Sequence, residues 1–335
     1  MGQDTVSTEA GPGGPLRNVR VLDLTTERGA YATKLLADLG ADVIRVEPPA
    51  GDSMRDLPPF LDDERHRDRS LTHWFYNSGK RSIIADLHVE SDRDVVRRIA
   101  GRVDILVESH DVGSLASLGL GHDDMLAAND RLIYVSITPF GQQGPWRDYR
   151  ADDFVLCALG GMMGVCGDPD RPPLVAFGWQ AYHTAGNFAA LSAMAALRSR
   201  RSMGRGQYVD VSIEACVAGF LEHVNVFYLH QGSFGALSGD PVARRQGPLH
   251  WSLGFRTYRT ADGYALLSHF HQWDDLIAWL AADDMAEDLT DPRYDDPRVR
   301  RTDVHHVCEV IARWAATKRT EQLVNEGQLR RFPWA

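Results

Sequence analysis

Cysteine is scarce in this chain. Only Cys157, Cys166, Cys216 and Cys308 occur, and no two of them fall at CxxC or metal-ligand spacing. That argues against a disulfide-stapled domain and implies reduced thiols in a cytoplasmic protein. Histidine pairs are equally unhelpful to a metal. His269 and His271 lie two apart at a strand end and His305 and His306 are adjacent, so neither pair shares a helix face and no metal is expected. Phosphate-binding signatures are missing too. The first strand-to-helix turn reads Thr25-Thr26-Glu27-Arg28-Gly29-Ala30 rather than GxGxxG, which counts against a dinucleotide cradle. No Walker A loop and no GxSxG elbow occur. Apolar runs stay short of the roughly 20 residues that span a bilayer, so no membrane segment is expected. A net charge of -10 opposes non-specific nucleic-acid binding, while leaving room for a local basic pocket.

What is present is an ordinary globular composition, 44% hydrophobic and 24% charged, over a length sufficient for two lobes. Residues 1–16 read as a disordered leader without the basic start and apolar core of a secretory signal. Residues 17–231 then alternate strand and helix patterns. Short apolar runs at 19–24, 41–46, 82–87, 104–108 and 131–138 suit buried strands, and helical spacing falls between them at 30–39, 90–102 and 122–129. Repeats of this kind predict an α/β fold with a Rossmann-like parallel sheet. Helices are predicted at 152–163, 182–198 and 213–230, with a strand at 207–212. Residues 232–250 look like a linker. Beyond them, 255–259 and 264–268 flank Asp262-Gly263, a hairpin signal, and helices near 273–282, 303–317 and 320–327 complete a smaller α+β domain over 251–335. The chain then stops at Arg331-Phe332-Pro333-Trp334-Ala335 without a recognisable capping element.

Two clusters could carry chemistry. Asp152-Asp153 opens an apolar helix, where paired carboxylates serve either acid/base work or simple N-terminal capping. Lys80-Arg81 follows Asn77-Ser78-Gly79 and precedes a strand, where a basic pair either holds a phosphate or stays solvated.

From about residue 17 to 330 the chain resembles the class III CoA-transferases, the group that includes formyl-CoA and carnitine-CoA transferases. The resemblance rests on eight blocks in order. They are VRVLDLT, KLLADLGADVIRVEPPAGD, NSGKRSIIADL, DILVE, ANDRLIYVSITPFGQQGPW, GGMMGVCGDPDRPP, GRGQYVDVSI and FRTYRTADGY. It implies a large Rossmann-like domain, a small domain, and ring-shaped protomers interlocked as a dimer, with the chain returning to the large domain at its end. That return segment is missing here. It also implies coenzyme A and acyl-CoA as substrate, a small carboxylic acid as the second partner, and no covalently bound cofactor. Asn77, Lys80, Arg81 and Gly141 match blocks near the CoA cleft. Asp153 matches an acidic position beside the active site.

The same resemblance exposes departures. The family nucleophile is an aspartate in a segment shaped like ADLTAG, and this chain reads Ala181-Tyr182-His183-Thr184-Ala185-Gly186. Tyr182 therefore stands at the nucleophile's position, Arg28 where the formyl-CoA enzyme has an assisting glutamine, and Asp152 where the racemase branch has a histidine. A carboxylate nucleophile becomes an acyl-enzyme whose carbonyl carbon then accepts the CoA thiolate. A phenol has no such carbon. The expectation is a CoA-transferase family protein that binds acyl-CoA as a non-catalytic or partner-dependent subunit, in a homodimer or a heteromer with a related chain. The alternatives are an active transferase using Asp152 or Asp153, and a non-enzymatic acyl-CoA-binding protein.

Overall fold

The computed structural model describes residues 13–167, 171–222, 224, 255–269 and 272–335. Six parallel strands form the first sheet: β1 (Arg20–Leu24), β2 (Asp42–Glu47), β3 (Arg81–Ile84), β4 (Ile105–Glu108), β5 (Ile133–Thr138) and β6 (Gln207–Ser212). Their order is β3-β2-β1-β4-β5-β6, a doubly wound arrangement. β4 and β5 are buried at every position, as expected of central parallel strands covered on both faces. β3 differs from the buried strand expected after Lys80-Arg81. It is an edge strand with Ile84 74% exposed, because only β2 pairs with it.

The connecting helices are α1 (Ala30–Asp38), α2 (Leu71–Asn77), α3 (Glu90–Ala100), α4 (Ser114–Ser117) and α5 (His122–Ala128). α2 has no counterpart in the sequence reading; Ser70 caps it by accepting the His73 N–H at 3.1 Å. One helix was expected over 152–163. It is broken into α6 (Asp153–Leu159) and α7 (Met162–Val165), because Gly160 and Gly161 interrupt it. Gly161 has φ +91°, and a Cβ on Gly160 would lie 2.5 Å from Val217 Cγ1, so the chain turns where only glycine fits. α8 (Gln180–Met203) runs for 24 residues and lies against α1; α9 (Ile213–Phe220) follows β6. Residues 225–230 of the helix expected to reach His230, the linker at 232–250 and leader residues 1–12 lie outside the described residues. Leader residue Leu16 is buried, and its N–H donates to the Leu39 carbonyl at 3.0 Å.

The chain divides into two compact units, one from Met1–Met162 and Val175–Leu221, the other from Met163–Leu174 and Glu222–Ala335. In the second, β7 (Phe255–Arg259) and β8 (Tyr264–Ser268) pair antiparallel across the expected turn. Helices α10 (Trp273–Ala282), α11 (Pro297–Thr302), α12 (Val304–Ala315) and α13 (Thr320–Leu329) enclose a core that includes Trp279, Trp314 and Trp334. The chain end is tied to β8, contrary to the uncapped stop expected: the Ala335 N–H donates to Leu266 O at 3.2 Å and the Trp334 indole N–H to Ser268 O at 2.9 Å. No helix among the described residues is long and apolar enough to cross a membrane.

Candidate active site

In the sheet β1 lies beside β4, so strand order reverses between them, and open parallel sheets form clefts at such a point. The loop leaving β1 is fastened there. The Thr26 N–H donates to Ser109 Oγ at 2.8 Å, and the half-buried Arg28 pairs with Asp111 at 2.8 Å. A cavity of about 760 Å³ opens beside this loop, with Glu27, Asp152, Asp153, Phe177, Trp179 and Tyr182 among its lining residues.

The two residues of the acidic pair cap different helices. Asp152 is the N-cap of α6, accepting the Val155 N–H at 2.9 Å, and it is also exposed on the cavity wall. Asp153 is buried and works across the structure. Its Oδ1 accepts the Tyr182 N–H at 3.0 Å, in the first turn of α8, whose own N-cap Trp179 supplies no side-chain bond. Its Oδ2 accepts from Cys157 Sγ at 3.6 Å. Burial raises the Asp153 carboxyl, and the N–H groups of Tyr182 and Ala181 with the Cys157 thiol oppose the rise. Asp153 is thus a remote helix cap.

Tyr182 is 5% exposed. Burial pushes its phenol up to about 12, against the pull of the Arg28 guanidinium and with the Glu27 carboxylate adding to it. His183 faces elsewhere, as neighbours on a helix must. Its Nε2 is 2.6 Å from Tyr76 Oη, and its ring lies 4.3 Å from that of Tyr31. Tyr76 stacks on Trp179 with centroids 5.2 Å apart. The sequence reading did not find this aromatic group around the start of α8. Tyr31, Tyr76 and Trp179 are far apart in the chain, and only the contact of α1, α2 and α8 assembles them.

The residues expected to hold CoA separate. Lys80 is sealed inside: its Nζ donates to Asp23 Oδ2 (3.0 Å), Thr33 Oγ1 (2.8 Å), Asn77 Oδ1 (3.1 Å) and Ala30 O (3.1 Å). An ammonium has three hydrogens, so none is left for a phosphate. These bonds tie the segment before β3 to β1 and α1. Burial lowers this lysine to about 8, with Asp23 opposing the fall. Asn77 is tied to Lys80 and to the His73 carbonyl. Arg81 is 66% exposed and grips Asp42 through two nitrogens at 2.7–3.0 Å. Gly141 has φ +80°, and the next residue, Gln142, donates its N–H to Asp210 at 3.0 Å, which pins that loop to β6. No group of three metal-ligating side chains forms among the described residues.

Comparison with known proteins bears on all of this. The profile of "CoA-transferase family III" matches residues 16–335. The chain is 33% identical over 318 residues to the succinyl-CoA:(R)-benzylsuccinate CoA-transferase subunit BbsE of Thauera aromatica, covering 92% of this chain and 75% of that one. It is likewise 33% identical over 331 residues to the succinyl-CoA:mesaconate CoA-transferase of Haloarcula hispanica, covering 96% and 80%. A CAIB/BAIF family protein from Brucella suis superposes with a TM-score of 0.81 at 28% identity, over 97% of this chain and 84% of that one. The doubly wound sheet, the near-complete profile match and these relatives agree that the chain belongs to CoA-transferase family III.

Proposed function

We propose that this chain binds an acyl-CoA thioester and takes part in CoA transfer between carboxylic acids as a partner-dependent subunit. The observation that carries the reading is Tyr182. It sits at the start of α8 on the cavity wall, buried, with its phenol pushed up to about 12. Transfer through the enzyme needs two exchanges. A carboxylate attacks the thioester carbonyl and expels CoA thiolate, giving a mixed anhydride; the thiolate then attacks the enzyme's own carbonyl carbon and expels the donor carboxylate, leaving CoA on the enzyme as a thioester. A phenol supplies neither an anion near neutrality nor that carbon. Asp153 is engaged as the cap of α8, with both oxygens occupied. A related chain bearing the carboxylate would complete the reaction, and one relative is itself named as a subunit. Of the residues expected for CoA, Arg81 is the exposed cation, paired with Asp42, and Lys80 is buried against Asp23.

A second reading follows from Asp152, which is exposed and lines the cavity. It would make the chain an active transferase by itself. The two separate in one experiment. The chain is incubated with an acyl-CoA and an acceptor acid, with and without a related family chain, while transfer and protein mass are followed by mass spectrometry. The expected result is acyl-CoA binding without transfer by the chain alone, and no CoA adduct. Tyr182→Asp is expected to gain a CoA-sized adduct, since Arg28 and the first turn of α8 both favour a carboxylate there. Robust transfer by the unmodified chain, lost in Asp152→Ala, would overturn the subunit role. Failure to bind any CoA thioester would overturn the whole reading.

A further inference from the structure

We infer that the cavity selects an uncharged, apolar acyl group and rejects one bearing a second carboxylate, with Glu27 as the residue that enforces the choice. This rests on the proposal that the cavity receives the acyl part of a CoA thioester. Its charge balance is one-sided. Glu27, Asp152 and Asp153 line it, and among the described residues no Lys, Arg or His does. Asp153 faces the N-terminus of α8 and is compensated there. Glu27 and Asp152 have no ion-pair partner among the described residues. The nearby cation, Arg28, is engaged with Asp111 at 2.8 Å. Glu27 and Tyr182 line the same cavity, and the Glu27 charge raises the Tyr182 phenol while the Arg28 guanidinium pulls it down.

The remaining wall is apolar. Phe154 is 55% exposed and Phe177 98% exposed, and Leu57, Val175 and Trp179 join them. Large exposed hydrophobic side chains around one cavity mark a ligand wall. A dicarboxylic acyl group would bring its second carboxylate onto this surface next to Glu27 and Asp152, where the nearby cation, Arg28, is already held by Asp111. A like-charge juxtaposition inside a partly enclosed site is a device for specificity. The relatives described above are named for succinyl-CoA, so the inference separates this chain from them by its substrate.

The test is isothermal calorimetry on the full chain with CoA, butyryl-CoA and succinyl-CoA. The two esters share a four-carbon acyl chain and differ in the terminal carboxylate. Butyryl-CoA is expected to bind at least about tenfold more tightly than succinyl-CoA. Raising the salt should narrow that gap, because the penalty is electrostatic. Glu27→Gln should narrow it several-fold, mainly by tightening succinyl-CoA. Equal or tighter binding of succinyl-CoA overturns the inference, as does a gap that Glu27→Gln leaves unchanged. If CoA and both esters fail to bind, the fault lies with the proposed function.

Discussion

Lys80 and Arg81 are neighbours in the chain, yet the ammonium is sealed against Asp23 while the guanidinium lies in solvent on Asp42. Asp23 is the centre of a buried set. It accepts from Lys80, Arg45, Thr33 and both the N–H and hydroxyl of Thr25. Burial alone would raise its carboxyl, but Lys80 and Arg45 outweigh that and hold it well below the usual carboxylate range. Its stabilising contribution is accordingly present at neutral pH and fades only as pH falls below the ordinary carboxylate value. Asp23→Ala leaves two cations in the core without their shared partner. Removing one member of a buried ionic set typically costs about 3–5 kcal/mol, whereas an exposed pair such as Arg81–Asp42 contributes under about 1 kcal/mol. Urea unfolding should therefore show a large loss for Asp23→Ala and almost none for Arg81→Ala. Comparable losses would mean that the buried set is not what holds β1, α1 and β3 together.

Across β4, β5 and β6 the register aligns Glu108, Ser136 and Asp210 in one row at the carboxyl ends of the strands. Burial raises Glu108 to about 7; the Ser136 hydroxyl and the His110 N–H oppose that, and the Asp210 charge adds to it. A carboxyl raised in the folded state binds its proton more tightly there than in the unfolded chain, whose value is near 4.5. Stability must then decline as pH rises from about 4.5 to 7 and stay lower above that. Glu108→Gln removes this dependence. Relative to the parent, the variant should gain roughly 2–3 kcal/mol between pH 5 and pH 8 in urea unfolding. A difference that stays flat with pH would show that Glu108 is ionised throughout. Elements of this kind mark the limit of what the chain declares in advance. The strands around β1, β4 and β5 were legible because central parallel strands must be apolar throughout. The break at Gly160-Gly161 was not, since it depends on Val217 lying against that turn. Asp152 as a cap was legible from its place before an apolar helix. The inward turn of Lys80 was not, since its partner Asp23 is 57 residues away and two strands over.

At the scale of the molecule, the two units have separate hydrophobic cores. Leu22, Leu24, Leu106, Leu132 and Tyr134 share one around the parallel sheet. The other joins Leu276, Leu280, Val310 and Ile311 to Trp273, Trp279, Trp314 and Trp334. Those four are half of the chain's 8 tryptophans, and all four are buried, with Trp279 stacked on Trp334 at 5.7 Å. In the sheet unit Trp74 and Trp146 are nearly half exposed. Tryptophan fluorescence thus reports chiefly on the second unit, while far-UV circular dichroism reports on helices and strands of both. Two units with their own cores need not unfold together. The two probes should give urea transitions that do not superimpose. Leu280 is fully buried in the second core, and truncating such a side chain costs about 2–5 kcal/mol. Leu280→Ala should lower the fluorescence midpoint and shift only the matching part of the dichroism curve. Leu22→Ala, at 0% exposure in the sheet core, should do the reverse. If either variant moves both transitions by the same amount, the chain unfolds as one cooperative body, and the division into two units describes its packing without describing its stability.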